Sequence, residues 1–126
     1  MRRFKNILEV GYNMAVNKKY ERQLKKGVFE ILVLQLLSEQ EKYGYELLTE
    51  MKNKSNGMFT VKEGTLYPIL YRLEDEGLVV AKWTEPKDRE ISRKYYSITM
   101  PGLVVLDELK TLWKDFSTNV NNILRE

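Results

Sequence analysis

The stretch EGTLYPILYRLEDEGLVVAKW at residues 63–83 decides the fold, because its hydrophobic period changes part-way along. In its first part, leucines recur at steps of three and four, which predicts an amphipathic helix over residues 63–76. Gly77 ends that helix, and the apolar period then becomes two, which predicts a strand over residues 78–84. An amphipathic helix followed directly by a strand is therefore the centre of the fold.

Pro68 restricts where this helix begins. A proline is tolerated in the first turn of a helix, where its missing N–H has no partner to lose. The sequence therefore predicts a regular start between Lys62 and Thr65, with Thr65 as the N-cap.

Downstream, the chain returns as a second strand and then forms a long helix. The stretch RKYYSIT (93–99) predicts the return strand, and the charged residues 85–92 predict a polar turn, so the two strands form a hairpin. Thr99 is predicted to cap the last helix, with Pro101 in its first turn. In that helix a heptad-like apolar seam is formed by Leu106, Leu109, Trp113, Phe116, Val120 and Ile123.

Upstream, the pattern predicts two helices and an arm. Residues 22–38 are apolar nearly all round, which predicts a helix that is covered on two sides, one of them by another subunit. Tyr43 leads a second helix, and Asn56 and Gly57 end it because both accept a left-handed conformation. Residues 1–21 are interpreted as an arm, either mobile or partly helical, or basic and in contact with DNA or a partner.

The composition excludes several classes of function. The 126 residues suffice for one domain and include no cysteine and no histidine, so the commonest general base and the commonest metal ligands are missing. We therefore expect no enzyme, no cofactor and no metal site. No apolar run reaches the roughly 18 residues of a membrane span, and the N-terminal stretch lacks the apolar centre of a secretory signal. We expect a cytoplasmic protein that does not bind membranes.

Three helices followed by a hairpin is the order of a winged helix-turn-helix, whose third helix enters the major groove of DNA. We therefore expect a mainly α (α+β) fold, with the winged helix-turn-helix domain over residues 22–99. A C-terminal dimerisation helix is expected over residues 100–126. The net charge of +3 is weak support for nucleic-acid binding by itself, so the positions of the charges carry the interpretation.

Polar and basic side chains on the third helix and the hairpin are the candidates for contact with double-stranded DNA. They are Lys62, Thr65, Tyr67, Tyr71, Arg72, Lys87, Arg89, Arg93 and Lys94. Tyr67 could instead be a packing tyrosine. Arg72 could instead be a solvated surface charge or a partner for Glu74 or Glu76. Because neighbouring strand residues point to opposite faces, at most one of Arg93 and Lys94 is expected to face phosphate.

Several motifs, taken in order, closely resemble the PadR family of transcription regulators. They are Tyr43-Gly44-Tyr45-Glu46, the run from Glu63 to Pro68, Arg72-Leu73-Glu74, Glu76-Gly77-Leu78, and the run from Arg93 to Thr99 with Gly102. The resemblance extends from about Leu24 to the last helix. The single long C-terminal helix with Trp113 is similar to the short-form branch, which includes multidrug-sensing repressors.

The resemblance implies a homodimer that binds a near-palindromic operator, usually as a repressor relieved by a small molecule. It also implies that the C-terminal helix joins the two subunits and packs against the first helix of the partner. The sequence departs from the family at residues 89–92, where Arg-Glu-Ile-Ser stands in place of a glycine-rich wing tip.

Trp113 has two interpretations at such an interface. It is either a packing residue of the seam or, with Leu109 and Phe116, a platform for a flat aromatic effector. A second hypothesis for the whole chain is a winged-helix module that binds protein and does not read DNA.

Overall fold

The helices and strands follow the predicted order, with one further helix at the start and one further short strand. The computed structural model describes residues 13–85 and 91–125. The elements are α1 (Asn13–Lys26), α2 (Phe29–Glu39), β1 (Lys42–Tyr43), α3 (Gly44–Lys54), α4 (Glu63–Asp75), β2 (Val79–Trp83), β3 (Lys94–Ile98) and α5 (Met100–Leu124). This architecture confirms the mainly helical winged helix-turn-helix with a long C-terminal helix.

The core forms where α2, α3 and α4 meet the inner face of the sheet. α2 packs against α3, α5 and β3, and α4 packs against α3 and β2. The buried apolar side chains are Val33, Leu34, Leu36, Leu37, Leu47, Met51, Leu66, Leu70, Leu73, Leu78, Val79, Tyr96 and Leu106. The predicted leucine stripe of α4 is therefore its core face, and it fixes which side of α4 is left for solvent.

The wing is an antiparallel hairpin in a three-stranded sheet of order β1-β3-β2. Val79 pairs with Ile98 at the base of the hairpin, and Trp83 pairs with Lys94 towards its tip. The sequence did not predict β1, which pairs Lys42 with Tyr96. Two residues are too few to produce a periodic pattern, so only the tertiary structure reveals this strand. The tip itself, residues 86–90, lies outside the described residues.

The predicted single helix over residues 22–38 is wrong, since the chain forms two helices there. α1 ends at Lys26 and α2 begins at Phe29, with the Val28 N–H donating to the Lys25 carbonyl at 3.0 Å. Gly27 is the physical reason, because glycine loses more conformational entropy in a helix than any other residue. Residues 13–21 of the predicted arm belong to α1, and residues 1–12 lie outside the described residues.

α4 begins at Glu63, within the predicted range of Lys62 to Thr65, but its N-cap differs from the prediction. The N-cap residue is Lys62, whose carbonyl accepts from Thr65 and Leu66 at 2.9 and 3.1 Å, so Thr65 lies inside the first turn. Pro68 is consequently one turn further into the helix than expected. The carbonyl that loses a partner belongs to Gly64, which is exposed, so water can replace the missing N–H.

The start of α5 confirms the predicted cap. Thr99 Oγ1 accepts from the Gly102 N–H at 3.1 Å and donates to the Gly77 carbonyl at 2.7 Å, with Pro101 in the first turn. One threonine therefore ties the end of the α4–β2 turn to the start of the last helix. No helix within residues 13–85 and 91–125 has the length and hydropathy that crossing a bilayer requires.

Candidate nucleic-acid interface

Helix α4 turns its core face inward and a mixed polar face outward. The exposed residues of this outer face are Gly64, Thr65, Pro68, Tyr71, Arg72 and Asp75. Lys62, just before the helix, is exposed as well. Four predicted DNA-contacting residues, Lys62, Thr65, Tyr71 and Arg72, are therefore accessible on one element.

Arg72 lies on the edge of α4 that faces α2. Its guanidinium pairs with the carboxylate of Glu30, 42 residues earlier in the chain. Both side chains are exposed, and exposed ion pairs contribute only about 0–1 kcal/mol. A phosphate can therefore replace Glu30 at little cost.

In the structure Tyr67 packs within the domain, which is the alternative to its predicted contact with DNA. Its side chain is half-buried against the core, and its hydroxyl end lies against Gly44 at the start of α3. A Cβ on Gly44 would collide with the Tyr67 ring. Glycine at this position therefore lets α3 and α4 approach each other, with the hydroxyl end of Tyr67 between them.

The wing separates Arg93 from Lys94, as strand geometry requires. The Lys94 Nζ lies 5.3 Å from the ring centroids of both Tyr71 and Tyr96, on the face that packs on α4. The Arg93 guanidinium lies over the ring of Tyr43 on the other face, 4.6 Å from its centroid. Lys94 is thus the one beside the outer face of α4. The predicted contacts Lys87 and Arg89 lie outside the described residues.

Lys94 keeps its positive charge in this position. Partial burial lowers its pKa, but the neighbouring Tyr96 hydroxyl and the Glu74 carboxylate outweigh that effect, and the pKa is raised. Burial also raises the pKa of the Tyr96 hydroxyl. The wing therefore presents a neutral, buried tyrosine with a cation above it.

Trp83 belongs to the same surface and was missed as a site residue. It pairs across the hairpin with Lys94, so both side chains project from the same face of the sheet, and Trp83 is 61% exposed. The signal was available in the sequence, because residues 79, 81 and 83 alternate onto one face. Tyr71, Trp83 and Lys94 thus join helix and wing in one surface.

A second candidate site is a largely apolar cleft of about 630 Å³ between α5 and the α1–α2 corner, here called the effector cleft. Its walls include Leu24, Val28 and Ile31 on one side and Leu109, Leu112, Trp113, Phe116 and Val120 on the other. The Trp113 and Phe116 rings stack at 6.1 Å and 27°. The structure therefore brings together the three residues predicted to bind an effector.

Two residues of the predicted dimer seam are not in this cleft. Leu106 is 5% exposed and packs in the core of its own chain, which leaves almost no surface for the predicted contact with a partner. Ile123 is 85% exposed near the end of α5, beyond the cleft.

The fold, the outer face of α4 and the wing match a known group of proteins. A model of the PadR-like family of transcriptional regulators matches residues 33–108, which is more than half of the chain. The chain belongs to the PadR-like family. Its members are transcription regulators and not enzymes, and this holds for the present chain.

Solved structures of PadR-like proteins resemble the chain over most of its length. A regulator from Bacillus cereus is 40% identical, with a TM-score of 0.71 over 82% of this chain and 98% of that one. A regulator from Eggerthella lenta is 30% identical, with a TM-score of 0.78 over 91% of this chain and 96% of that one. A transcriptional regulator of Escherichia coli, YqjI, is 28% identical, and the chain spans 37% of its length.

Some motif residues of this PadR-like protein maintain its fold. Gly44 leaves room for the Tyr67 ring, and Gly102 leaves room for the Leu78 carbonyl. A Cβ at either position would collide with these atoms. Glu46 accepts from the Tyr43 N–H at 3.1 Å at the start of α3. The resemblance therefore identifies the domain more directly than it identifies the residues that read DNA.

Proposed function

We propose that this PadR-like regulator is a homodimeric repressor that binds a near-palindromic operator and is released by a small aromatic effector. The observation that carries the DNA-binding part is the contact of Lys94 with Tyr71. It places a charged wing residue beside the exposed face of α4, where one duplex can touch both.

In this proposal α4 enters the major groove and the wing follows the adjacent backbone. Thr65, Tyr71 and Arg72 face base edges or the flanking phosphates, and Lys62 reaches phosphate from the start of the helix. Lys94 contacts phosphate, and the exposed ring of Trp83 packs against sugar. Arg93 is assigned to the outer face of the wing, where it packs on Tyr43.

The dimer is proposed because α5 leaves a long apolar stripe exposed. Trp113 is 47% and Phe116 57% exposed in the single chain, and the α1–α2 corner leaves Leu24 exposed as well. Large exposed apolar patches typically mark interaction surfaces. A second copy of α5 packed on this stripe covers it and separates the two α4 helices by one turn of DNA.

The effector is proposed to bind in the cleft beside Trp113. Its volume of about 630 Å³ is within the range of pockets that hold small molecules. A flat aromatic compound stacking on Trp113 or Phe116 gains about 0.5–1.5 kcal/mol beyond the burial of its area. It regulates DNA binding only if it favours one separation of the two reading helices over another.

A binding titration with a duplex selected from a random-sequence library tests the DNA-binding part. We expect two half-sites about 34–36 Å apart, and an affinity that falls by about 0.9 log units per log unit of salt for each phosphate neutralised. Arg72→Ala should reduce the free energy of binding to the selected duplex by about 1–3 kcal/mol if Arg72 contacts a base. If Arg72 contacts phosphate instead, the variant should bind all sequences more weakly by the same factor. Lys94→Gln should weaken binding to all sequences and make the salt dependence of the affinity shallower.

Lys114→Gln is the matched control, because it removes one exposed cation from α5 outside the proposed interface. It should leave both affinity and salt dependence unchanged. If no duplex is enriched and the protein shows no salt-dependent binding to mixed DNA, the alternative of a protein-binding winged-helix module replaces the proposal.

A further inference from the structure

A second groove, about 360 Å³ in volume, lies between α1 and the start of α4. It is distinct from the effector cleft and lies on the other side of α1. Its lining consists of Lys18, Glu21, Arg22, Lys25, Phe29, Thr60, Val61, Lys62 and Thr65. We name it the basic groove, because four of these nine side chains are cations.

The cations come from both walls of the basic groove. Lys18, Arg22 and Lys25 are spaced by four and three residues, so they form a stripe along one face of α1. Lys62 faces them from the other wall. Among the described side chains that line the groove, Glu21 is the only acid, and its carboxylate is held by Lys25 at 2.8 Å.

This arrangement does not stabilise the fold by itself. Like charges that share a groove repel each other, and a groove lined by one sign of charge concentrates ions of the opposite sign. Lys25 is already engaged within the chain, because its Nζ pairs with Glu21 and lies 5.6 Å from the Phe59 ring, which packs edge-on against Phe29 at 5.7 Å. The remaining cations are thus available to an anion.

The identity of that anion follows from continuity with the outer face of α4. Lys62 and Thr65 line the basic groove and also belong to the surface proposed to meet DNA. A backbone that passes the start of α4 therefore runs directly into the groove. We infer that the basic groove binds the sugar-phosphate backbone of the same duplex, flanking the base pairs that α4 reads.

This inference rests on the proposed function and adds a contact that the winged helix-turn-helix alone does not make. α1 precedes the residues that the family model matches. Its cations touch phosphate only, so they contribute affinity without sequence preference. They also extend the contacted backbone beyond the α4 and wing footprint in each half-site.

The test compares the double variant Lys18→Gln/Arg22→Gln with wild type on the selected duplex and on unrelated DNA. If each protomer of the variant dimer neutralises one phosphate fewer, the slope of log affinity against log salt becomes shallower by about 1.8. The wild-type advantage over the variant should then shrink about tenfold between 50 and 200 mM salt. Affinity should fall equally for both duplexes, so the preference for the selected sequence is unchanged.

The matched control is Lys19→Gln/Lys26→Gln, which removes the same net charge from the same helix. Lys19 and Lys26 are exposed and line neither the basic groove nor the effector cleft. Phosphate ethylation interference should show additional backbone positions at each half-site for wild type that are absent for the groove variant. Thermal unfolding checks that both variants fold.

The outcomes separate this inference from the proposed function. Equal effects of the two double variants on the salt slope would show that only net charge matters. That result would overturn the inference that the basic groove binds the DNA backbone. An unchanged slope and an unchanged ethylation pattern in Lys18→Gln/Arg22→Gln would also overturn it while leaving the operator-binding proposal intact. Failure of the wild type to bind any DNA would instead remove the proposed function itself.

Discussion

Two glycines in the α4 and α5 helices have opposite surroundings. Gly102 is buried in the first turn of α5, and a Cβ there would strike the Leu78 carbonyl and come within 2.6 Å of Ile98 Cγ1. Gly64 is exposed in the first turn of α4, and nothing lies within 4 Å of its missing Cβ. Packing therefore explains the glycine at 102, whereas close approach of DNA is our explanation for the glycine at 64.

Alanine at these two positions should separate stability from binding. Gly64→Ala should raise the free energy of unfolding by about 0.5–1 kcal/mol, because alanine costs less entropy in a helix. Its affinity for DNA should fall, because the new methyl projects from the outer face of α4. Gly102→Ala should lower the free energy of unfolding by about 1–3 kcal/mol through overpacking.

Urea unfolding and DNA titration of both variants provide the measurement. A Gly64→Ala protein that is more stable and binds the selected duplex as tightly as wild type would show that DNA does not approach this part of the backbone.

At the scale of elements, α5 has two parts with different environments. α2 has 11 residues and α5 has 25, so their lengths are about 17 and 38 Å. α2 can therefore cover only part of α5, and Leu106 is buried while Phe116 and Ile123 are exposed. The first part of the apolar stripe of α5 therefore packs in the core of its own chain. The second part, in our proposal, packs against the partner.

A charge in the second part should break the proposed dimer without unfolding the chain. Phe116→Asp places a carboxylate in the exposed stripe, where partner burial would require its costly desolvation. Sedimentation at micromolar concentration should show a dimer for wild type and a monomer for this variant. Thr118→Asp, exposed on the opposite side of α5, should remain dimeric. A monomeric wild type with a normal thermal transition would contradict the dimer.

At the scale of the whole molecule, the two tryptophans lie in the two proposed sites. Trp83 is exposed on the wing beside Lys94, and Trp113 stacks on Phe116 in the effector cleft. α1 lies between the effector cleft and the basic groove, since Leu24 lines the cleft and Arg22 lines the groove. Fluorescence can therefore report the two binding events separately.

A planar aromatic cation or a flavonoid should quench Trp113 and leave Trp83 unchanged. Trp113→Ala should abolish that quenching and leave dimerisation largely intact, because Leu109, Phe116 and Val120 keep the apolar wall. Conversely, DNA should change the emission of Trp83 in the Trp113→Ala protein. The measurement is a titration of wild type, Trp113→Ala and Trp83→Phe. Absence of quenching across a broad panel of flat aromatics would mean that the cleft serves packing alone.

The sequence by itself determined those features that depend on neighbours along the chain. The leucine period of α4, the alternation of β2 and β3, the Thr99 cap and the left-handed turn at Asn56 and Gly57 all appear as predicted. Each is set by side chains within a few residues, so a local pattern suffices to predict it. The motifs added the family, because their order along the chain is specific.

Only the tertiary structure determined which side chains from distant parts of the sequence come into contact. Arg72 pairs with Glu30 and Tyr67 packs on Gly44, contacts between residues far apart in sequence that no local pattern contains. Only the packing of the wing on α4 shows that Lys94, and not Arg93, lies beside Tyr71. The basic groove exists because α1 and the start of α4 come together in space, which places Lys62 opposite the cations of α1.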